Sequence, residues 1–234
     1  MKIFMLWTYY HKYLNYFYKK NTTITNKKFE DLRRELFDDH FGWPAELATY
    51  MIDQGYEVEF IIENAEYIQK QWAIENNFTD YSKINWAEDI VLEQIKKFNP
   101  DILLIPNPSS NSYKYIDGAK NYYSKLAFYL GHDISNKELI VRADILFVIN
   151  EKYVKEKYPE LTNIIYMGVG FSPKIAYEIR DVKKNIDILF VGSISPAHVI
   201  RAEVLSYIVS NGVDVKIYAN ITKVNYYTKL RGVL

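Results

Sequence analysis

The sequence predicts an α/β fold built on a mainly parallel sheet, and three apolar runs carry most of that prediction. "DILLIP" from Asp101, "DILFVI" from Asp144 and "DILFVG" from Asp187 are each entered from an aspartate and bounded by turn residues. Short continuous apolar runs of this kind suit strands covered on both faces. Helical patterns lie between them, and strand–helix–strand alternation is the mark of a parallel sheet with helical crossovers.

The elements follow in order. "MKIFMLW" at the amino terminus reads as a first strand, because its apolar run turns aromatic and basic with no small-residue cleavage site. "KKFEDLRRELF" reads as a helix. "ELATYMIDQG" starts behind Pro44, a favourable first-turn proline, and ends at Gly55, a favourable C-terminal cap. "YEVEFIIEN" alternates at Tyr56, Val58, Phe60 and Ile62, as a half-buried strand does. The Pro44 helix and this strand are placed as the first helix and second strand of the domain. "INWAEDIVLEQIKKFNP" sets Ile84, Ala87, Ile90, Val91 and Ile95 on one stripe and stops before Pro100. "FSPKIAYEIRDVKKN", with a Ser-Pro turn, charge and no clear core face, is the linker candidate. After it comes a single strand–helix–strand element, "IDILFVGS", "VIRAEVLSYIVSNG" and "VDVKIYAN".

Composition narrows the function. With 234 residues, 49% of them hydrophobic and 25% charged, the chain can bury a sizeable core. Lys+Arg and Asp+Glu balance at 29 each, so no global field recruits nucleic acid, and a nucleic-acid partner is disfavoured. The absence of cysteine excludes disulfides, thiolate metal sites and a cysteine nucleophile, and fits a cytoplasmic location. No window approaches the about 20 apolar residues that span a bilayer, which leaves only peripheral membrane association open. The 22 tyrosines suit sugar-ring stacking as well as a Lys/Asn/Ile/Tyr-rich genomic bias, and the bias carries more weight.

Ligands on open α/β sheets sit at the carboxyl ends of the strands. That rule selects "DDHFGWPAE", "PNPSSNSY" after the Asp101 strand, "GHDIS" after "LAFYL", "NEKYV" after the Asp144 strand and "GSISPAH" after the Asp187 strand. His11 lies elsewhere and is a weaker candidate.

The order of these segments resembles a known family. "FGWPAELATYMIDQGYEVEFIIENAEYIQKQWAIENNF", "ADILFVINEKYVKEKYPELTNIIYMGVGFSP" and "IDILFVGSISPAHVIRAEVL" resemble glycosyltransferases of the GT-B fold. The likeness is greatest to the spore-maturation (CgeB-like) group and its family 1 and family 4 relatives. It implies a Rossmann-like, doubly wound acceptor-side domain over residues 1–175, a linker over 176–185, and the opening strand–helix–strand of a donor-side Rossmann-like domain over 186–234. Family members continue past the equivalent of Leu234, where most nucleotide contacts would lie. The chain is therefore expected to be an acceptor-side portion that does not turn over alone.

The resemblance also implies the partners: a nucleotide-sugar donor (UDP-, GDP- or similar) and a carbohydrate or glycoconjugate acceptor hydroxyl, in surface polysaccharide or spore and cell-envelope biosynthesis. No bound cofactor and no metal are expected, and "GSISPA" is not a dinucleotide fingerprint. Asp38, Asp39 and His40 admit two readings: a solvent-facing helix end, or a cleft-lining loop that supplies the base for an acceptor hydroxyl. Gly42 would let backbone approach a ligand, and Trp43 and Asn107 would line the acceptor site. Glu46, also an acceptor-site candidate, could equally compensate the helix dipole. His132, with Asp133, follows an apolar strand and is the leading catalytic candidate on the acceptor side. Gly192, Ser193, His198 and Arg201 form the donor-side candidate, read as a glycine turn leading into a helix N-terminus, a ready anion site; the alternative is a plain tight turn. The rival function is a non-catalytic sugar-binding or scaffold α/β protein without a donor site.

Overall fold

The computed structural model describes residues 1–21, 27–106, 108, 112–131, 137–168, 170, 173–194 and 199–221. Packing divides the chain into two units, Met1–Ser172 and Pro173–Leu234.

The first unit is a six-stranded, all-parallel sheet. Its strands are β1 (Lys2–Trp7), β2 (Glu57–Ile62), β3 (Ile102–Pro106), β4 (Lys125–Leu130), β5 (Ile145–Val148) and β6 (Ile164–Tyr166), in the spatial order β2-β1-β3-β4-β5-β6. The strand order reverses between β1 and β3, so the sheet is doubly wound and Rossmann-like, with its switch point at that pair. Phe4 and Met5 of β1, Leu103 of β3 and Phe128 of β4 are fully buried, which puts the core at the centre of the sheet.

The aspartates that open the strands have a structural role. The Asp101 Oδ2 accepts the backbone N–H of Lys2 at 2.7 Å, and the Asp144 Oδ2 accepts that of Leu126 at 2.8 Å. Each carboxylate ties its own strand to the first amides of the neighbour. That bond, with Lys125 beside it, holds the Asp144 carboxyl below the usual carboxylate range.

Three helices connect β1 to β2: α1 (His11–Lys20), α2 (Phe29–Asp38), where "KKFEDLRRELF" was read as a helix, and α3 (Pro44–Asp53). The Pro44 helix is therefore the third helix of the domain, a correction to its expected place. α1 buries Leu14 and Phe17, and α2 buries Phe29, Leu32 and Leu36, each on one helical face. Pro44 begins α3 and Gly55 follows its end at φ +87°, as expected.

Between β2 and β3 run α4 (Glu66–Glu75) and α5 (Trp86–Phe98). α5 buries Ile90, Val91 and Ile95 and ends in a left-handed Asn99 before Pro100. Ile84 leaves the expected stripe: it precedes the helix and is 90% exposed. β2 departs from alternation too. Phe60, Ile61 and Ile62 are all buried, so its carboxyl half is covered on both faces. α6 (Ser112–Gly118), α7 (Lys137–Ile140) and α8 (Glu151–Lys157) complete the crossovers.

The second unit contains α9 (Pro173–Ile179), β7 (Leu189–Ile194), α10 (Val199–Ser210) and β8 (Lys216–Ile221). α9 lies within the stretch read as linker. β7 and β8 pair in parallel, and Ile194, Ala202 and Leu205 form a small core. β7 was expected to be buried on both faces; instead Leu189 and Val191 are exposed, because the described sheet has two strands and one helix against it. Among the described residues no helix is long and apolar enough to cross a membrane.

Candidate functional site

The carboxyl end of the first unit's sheet is where a doubly wound fold places its ligand crevice. An aromatic cluster gathers there. Trp7 ends β1 and Tyr129 lies next to the end of β4, with ring centroids 6.2 Å apart. Trp43, from the loop between α2 and α3, meets both rings edge-on, at 5.1 Å from Trp7 and 5.0 Å from Tyr129. Phe41 of the same loop stacks on Tyr13 at 3.6 Å and meets Tyr9 edge-on at 5.1 Å. The loop 39–43 thus sits against the segment that leaves β1, although it follows a helix and not a strand.

Its backbone is shaped by two left-handed residues, His40 (φ +51°) and Gly42 (φ +86°). A side chain at Gly42 would have room, since a Cβ there would meet only Pro44 Cδ at 3.4 Å. The glycine is needed for its φ.

The polar residues of this loop divide by role. Asp38 is exposed at the end of α2. Asp39 caps that helix, and both of its oxygens are engaged: Oδ2 accepts the Tyr13 hydroxyl at 2.9 Å, and Oδ1 pairs with Lys20 Nζ at 3.2 Å. Burial, followed by the hydrogen bond to Asp39, pushes the Tyr13 phenol well above its ordinary range. His40 and Glu46 form a pair, with Nδ1 and Oε1 2.9 Å apart and both side chains partly buried. Glu46 also occupies the first turn of α3, so dipole compensation and the histidine contact coexist there. An imidazole whose Nδ1–H is directed at a carboxylate has a fixed tautomer and orientation, the arrangement a general base needs.

A second polar cluster at the same end was absent from the residues selected by sequence. Glu63, just past β2, accepts the Tyr115 hydroxyl at 2.9 Å through Oε2 and the Thr8 hydroxyl through Oε1. Burial and the neighbouring Glu63 raise the Tyr115 phenol far above its usual value. Asn64 clamps the backbone of Tyr9, accepting its N–H at 3.0 Å and donating to its carbonyl at 2.7 Å. The carboxyl ends of β1 and β2 are therefore locked together by side chains. A carboxylate oriented by two hydroxyls retains lone pairs for a ligand hydroxyl. The strand-end rule that selected the other loops also applies to "TYY" after β1 and "EN" after β2, and would have found these residues.

Asn107, His132, Asp133 and His198 lie outside the described residues. Gly192 and Ser193 were expected in a turn after β7; they are inside it, paired with Ala219 and Asn220. The strand runs on because these amides still find partners on β8. Arg201 Nη1 donates to the Ser193 carbonyl at 3.1 Å, so this exposed side chain clamps α10 to the end of β7. Among the described residues no group of three or more His, Asp or Glu side chains is arranged to hold a metal ion.

No family model matches the chain, and no curated protein matches it. Solved structures similar to it include a Listeria monocytogenes protein assigned as a UDP-N-acetylglucosamine 2-epimerase, with a TM-score of 0.45 and 13% identity, covering 100% of this chain and 66% of that one. A second UDP-N-acetylglucosamine 2-epimerase gives a TM-score of 0.41 and 13% identity, covering 99% of this chain and 64% of that one. The chain thus spans slightly under two thirds of the length of these structures.

Proposed function

We propose that the chain is the acceptor side of a sugar-transferring enzyme that uses a nucleotide-sugar donor. The observation that supports this most is the loop 39–43 at the sheet's carboxyl end. It joins a tryptophan face, Trp43, to a carboxylate-oriented histidine, His40. Carbohydrate recognition commonly joins an apolar ring face to groups that accept hydroxyl protons. In this reading Trp43 bears the acceptor sugar and Glu63 accepts one of its hydroxyls. His40, oriented by Glu46, takes the proton of the attacking hydroxyl. The acceptor oxygen forms the new bond to the anomeric carbon as the bond to the diphosphate breaks, and the diphosphate departs with its electron pair. His132 and Asp133 keep the acceptor-side role that the family resemblance implies, as an alternative source of the base.

The test is sugar transfer by the protein in its full natural length, with His40→Ala and His132→Ala compared. A general base contributes about 10²–10⁴-fold. His40→Ala is expected to lower turnover within that range while affinity for the nucleoside diphosphate survives. Wild-type turnover in His40→Ala together with a collapse in His132→Ala would move the base to His132. Absence of any nucleoside diphosphate binding would sink the transferase reading in favour of a sugar-binding module.

A further inference from the structure

Glu63 is a partly buried carboxylate that the protein leaves without a counter-ion. Its two oxygens take the Thr8 and Tyr115 hydroxyls, both neutral donors, and among the described residues no lysine or arginine pairs with it. The lysines on the neighbouring helices are committed elsewhere. Lys70, on the helix that follows Glu63, pairs with Glu66 at 2.6 Å, and Lys114, on the helix that carries Tyr115, pairs with Glu88. Burial raises the Tyr115 phenol, and Glu63, Glu88 and Asp89 raise it further, so three carboxylates act on one buried hydroxyl. A carboxylate withdrawn from water without a cation carries a desolvation cost that a positive group would offset.

The groups beside this charge narrow what could offset it. The Glu63 N–H donates to the Trp7 carbonyl at 2.8 Å, so the residue is one hydrogen bond from the ring cluster of Trp7, Trp43 and Tyr129. Trp7 and Trp43 are partly exposed and Thr8 is exposed, so the cluster opens to solvent. Aromatic faces attract cations, those of tryptophan most of all. Two hydroxyl donors fix the carboxylate but fill only part of its about four lone-pair sites, and it has nothing to donate. An ammonium fits such a site with three donors and a positive charge. A phosphate or carboxylate would bring acceptors and a like charge instead.

We propose that Glu63 determines acceptor specificity and selects a sugar that carries a free amine over neutral and acidic sugars, with Tyr115 and Thr8 as its positioning residues. The assignment rests on the acceptor-side reading of this end of the sheet. The experiment is titration of the intact chain with glucosamine, methyl glucoside and glucuronate, followed by nuclear magnetic resonance. It is run at low ionic strength and slightly below neutral pH, where the amine is protonated. Glucosamine is expected to bind about tenfold more tightly than methyl glucoside, and glucuronate about tenfold more weakly. Glu63→Gln keeps the shape and removes the charge, so both ratios should fall to within about twofold. Tyr115→Phe, and Thr8→Val at its exposed position, each remove one orienting hydroxyl and should lower the glucosamine preference about threefold. A purely structural role for these hydroxyls would weaken all three sugars together and leave the ratios where they were, which overturns the positioning assignment. Equal affinities in the native chain, tighter binding of glucuronate, or unchanged ratios in Glu63→Gln overturn the proposal and leave the transfer reading standing. Binding of none of the three sugars overturns the acceptor-side reading and this proposal with it.

Discussion

His40 Nδ1 lies 2.9 Å from Glu46 Oε1, joining the left-handed turn after α2 to the first turn of α3. The contact spans only six residues, yet it needs three local features at once: a histidine at positive φ, a glycine two residues later and a proline that starts the helix at once. Glu46→Ala removes this contact to the ring. Both side chains are partly exposed, so the expected loss of stability is no more than about 1 kcal/mol. The informative readout is nitrogen-15 spectroscopy of the imidazole. The Nδ1–H tautomer should dominate neutral His40 in the native chain and lose that dominance in Glu46→Ala. An unchanged tautomer ratio would remove Glu46 as the group that positions His40.

Asp39 is expected to behave differently from its neighbour. Its oxygens hold Tyr13 and Lys20, so its role is to fix α1 against the end of α2. Hydrogen bonds to charged groups contribute about 1.5–3 kcal/mol, and Asp39→Ala should destabilise by an amount in that range. A double-mutant cycle with Tyr13→Phe should show a coupling of about 1 kcal/mol, since the two share one bond. Turnover of the folded Asp39→Asn protein should stay near wild type. A collapse of turnover with unchanged Tm would restore Asp39 as a candidate base.

These two residues show how far the sequence could be read. The parallel strands were legible because each is a short apolar run between turn residues, and β1, β3, β4 and β5 lie where those runs are. The Pro44–Gly55 helix was legible for the same local reason. The order of helices was not. α1, "HKYLNYFYKK", buries only Leu14 and Phe17 in a largely polar segment, which local periodicity does not single out. Within the site, the loop "DDHFGW" could be placed at the strand ends, but the division of roles between Asp39 and His40 rests on Tyr13 and Lys20 of α1, far apart in sequence and outside the loop. Glu63 was hidden for another reason: it follows an edge strand whose last residues look like core, and its partners are Thr8, just past the end of β1, and Tyr115, on α6. In the second unit, "DILFVG" opens with the same five letters as "DILFVI" of the first, yet Leu189 and Val191 are exposed, because burial depends on neighbours that the run itself does not encode.

Gly42 offers a test that separates backbone strain from crowding. Its φ of +86° lies where side chains are strained, while the nearest atom to an added Cβ is an ordinary contact at 3.4 Å. Gly42→Ala should therefore cost about 1 kcal/mol or more through conformation alone. Gly42→Asn should cost less, because asparagine tolerates left-handed backbone better. Urea unfolding of the two variants checks this. Equal losses in both, or a gain in Gly42→Ala, would show that the loop relaxes out of its left-handed turn.

The alkaline limit of stability should be set by tyrosines. Burial pushes the phenols of Tyr9, Tyr13, Tyr18 and Tyr115 well above the ordinary value of about 10, and Asp39 and Glu63 add to this at Tyr13 and Tyr115. Below pH about 10 these groups are protonated in the folded and unfolded chains alike, and their stabilising contribution is fully present. Above it the unfolded chain releases protons that the folded chain retains. Stability then falls by at most about 1.4 kcal/mol per pH unit for each of the well-buried Tyr9, Tyr18 and Tyr115, and by less for the more exposed Tyr13, until the folded phenols ionise in turn. Urea midpoints should be level through neutral pH with respect to these groups and drop steeply above pH about 10. Tyrosinate absorbance should show most of the 22 tyrosines ionising gradually and the last few appearing together with unfolding. Tyr115→Phe removes one of the four and should make the alkaline slope shallower. A smooth titration of every tyrosine near pH 10 in a chain that stays folded would contradict the burial of these hydroxyls.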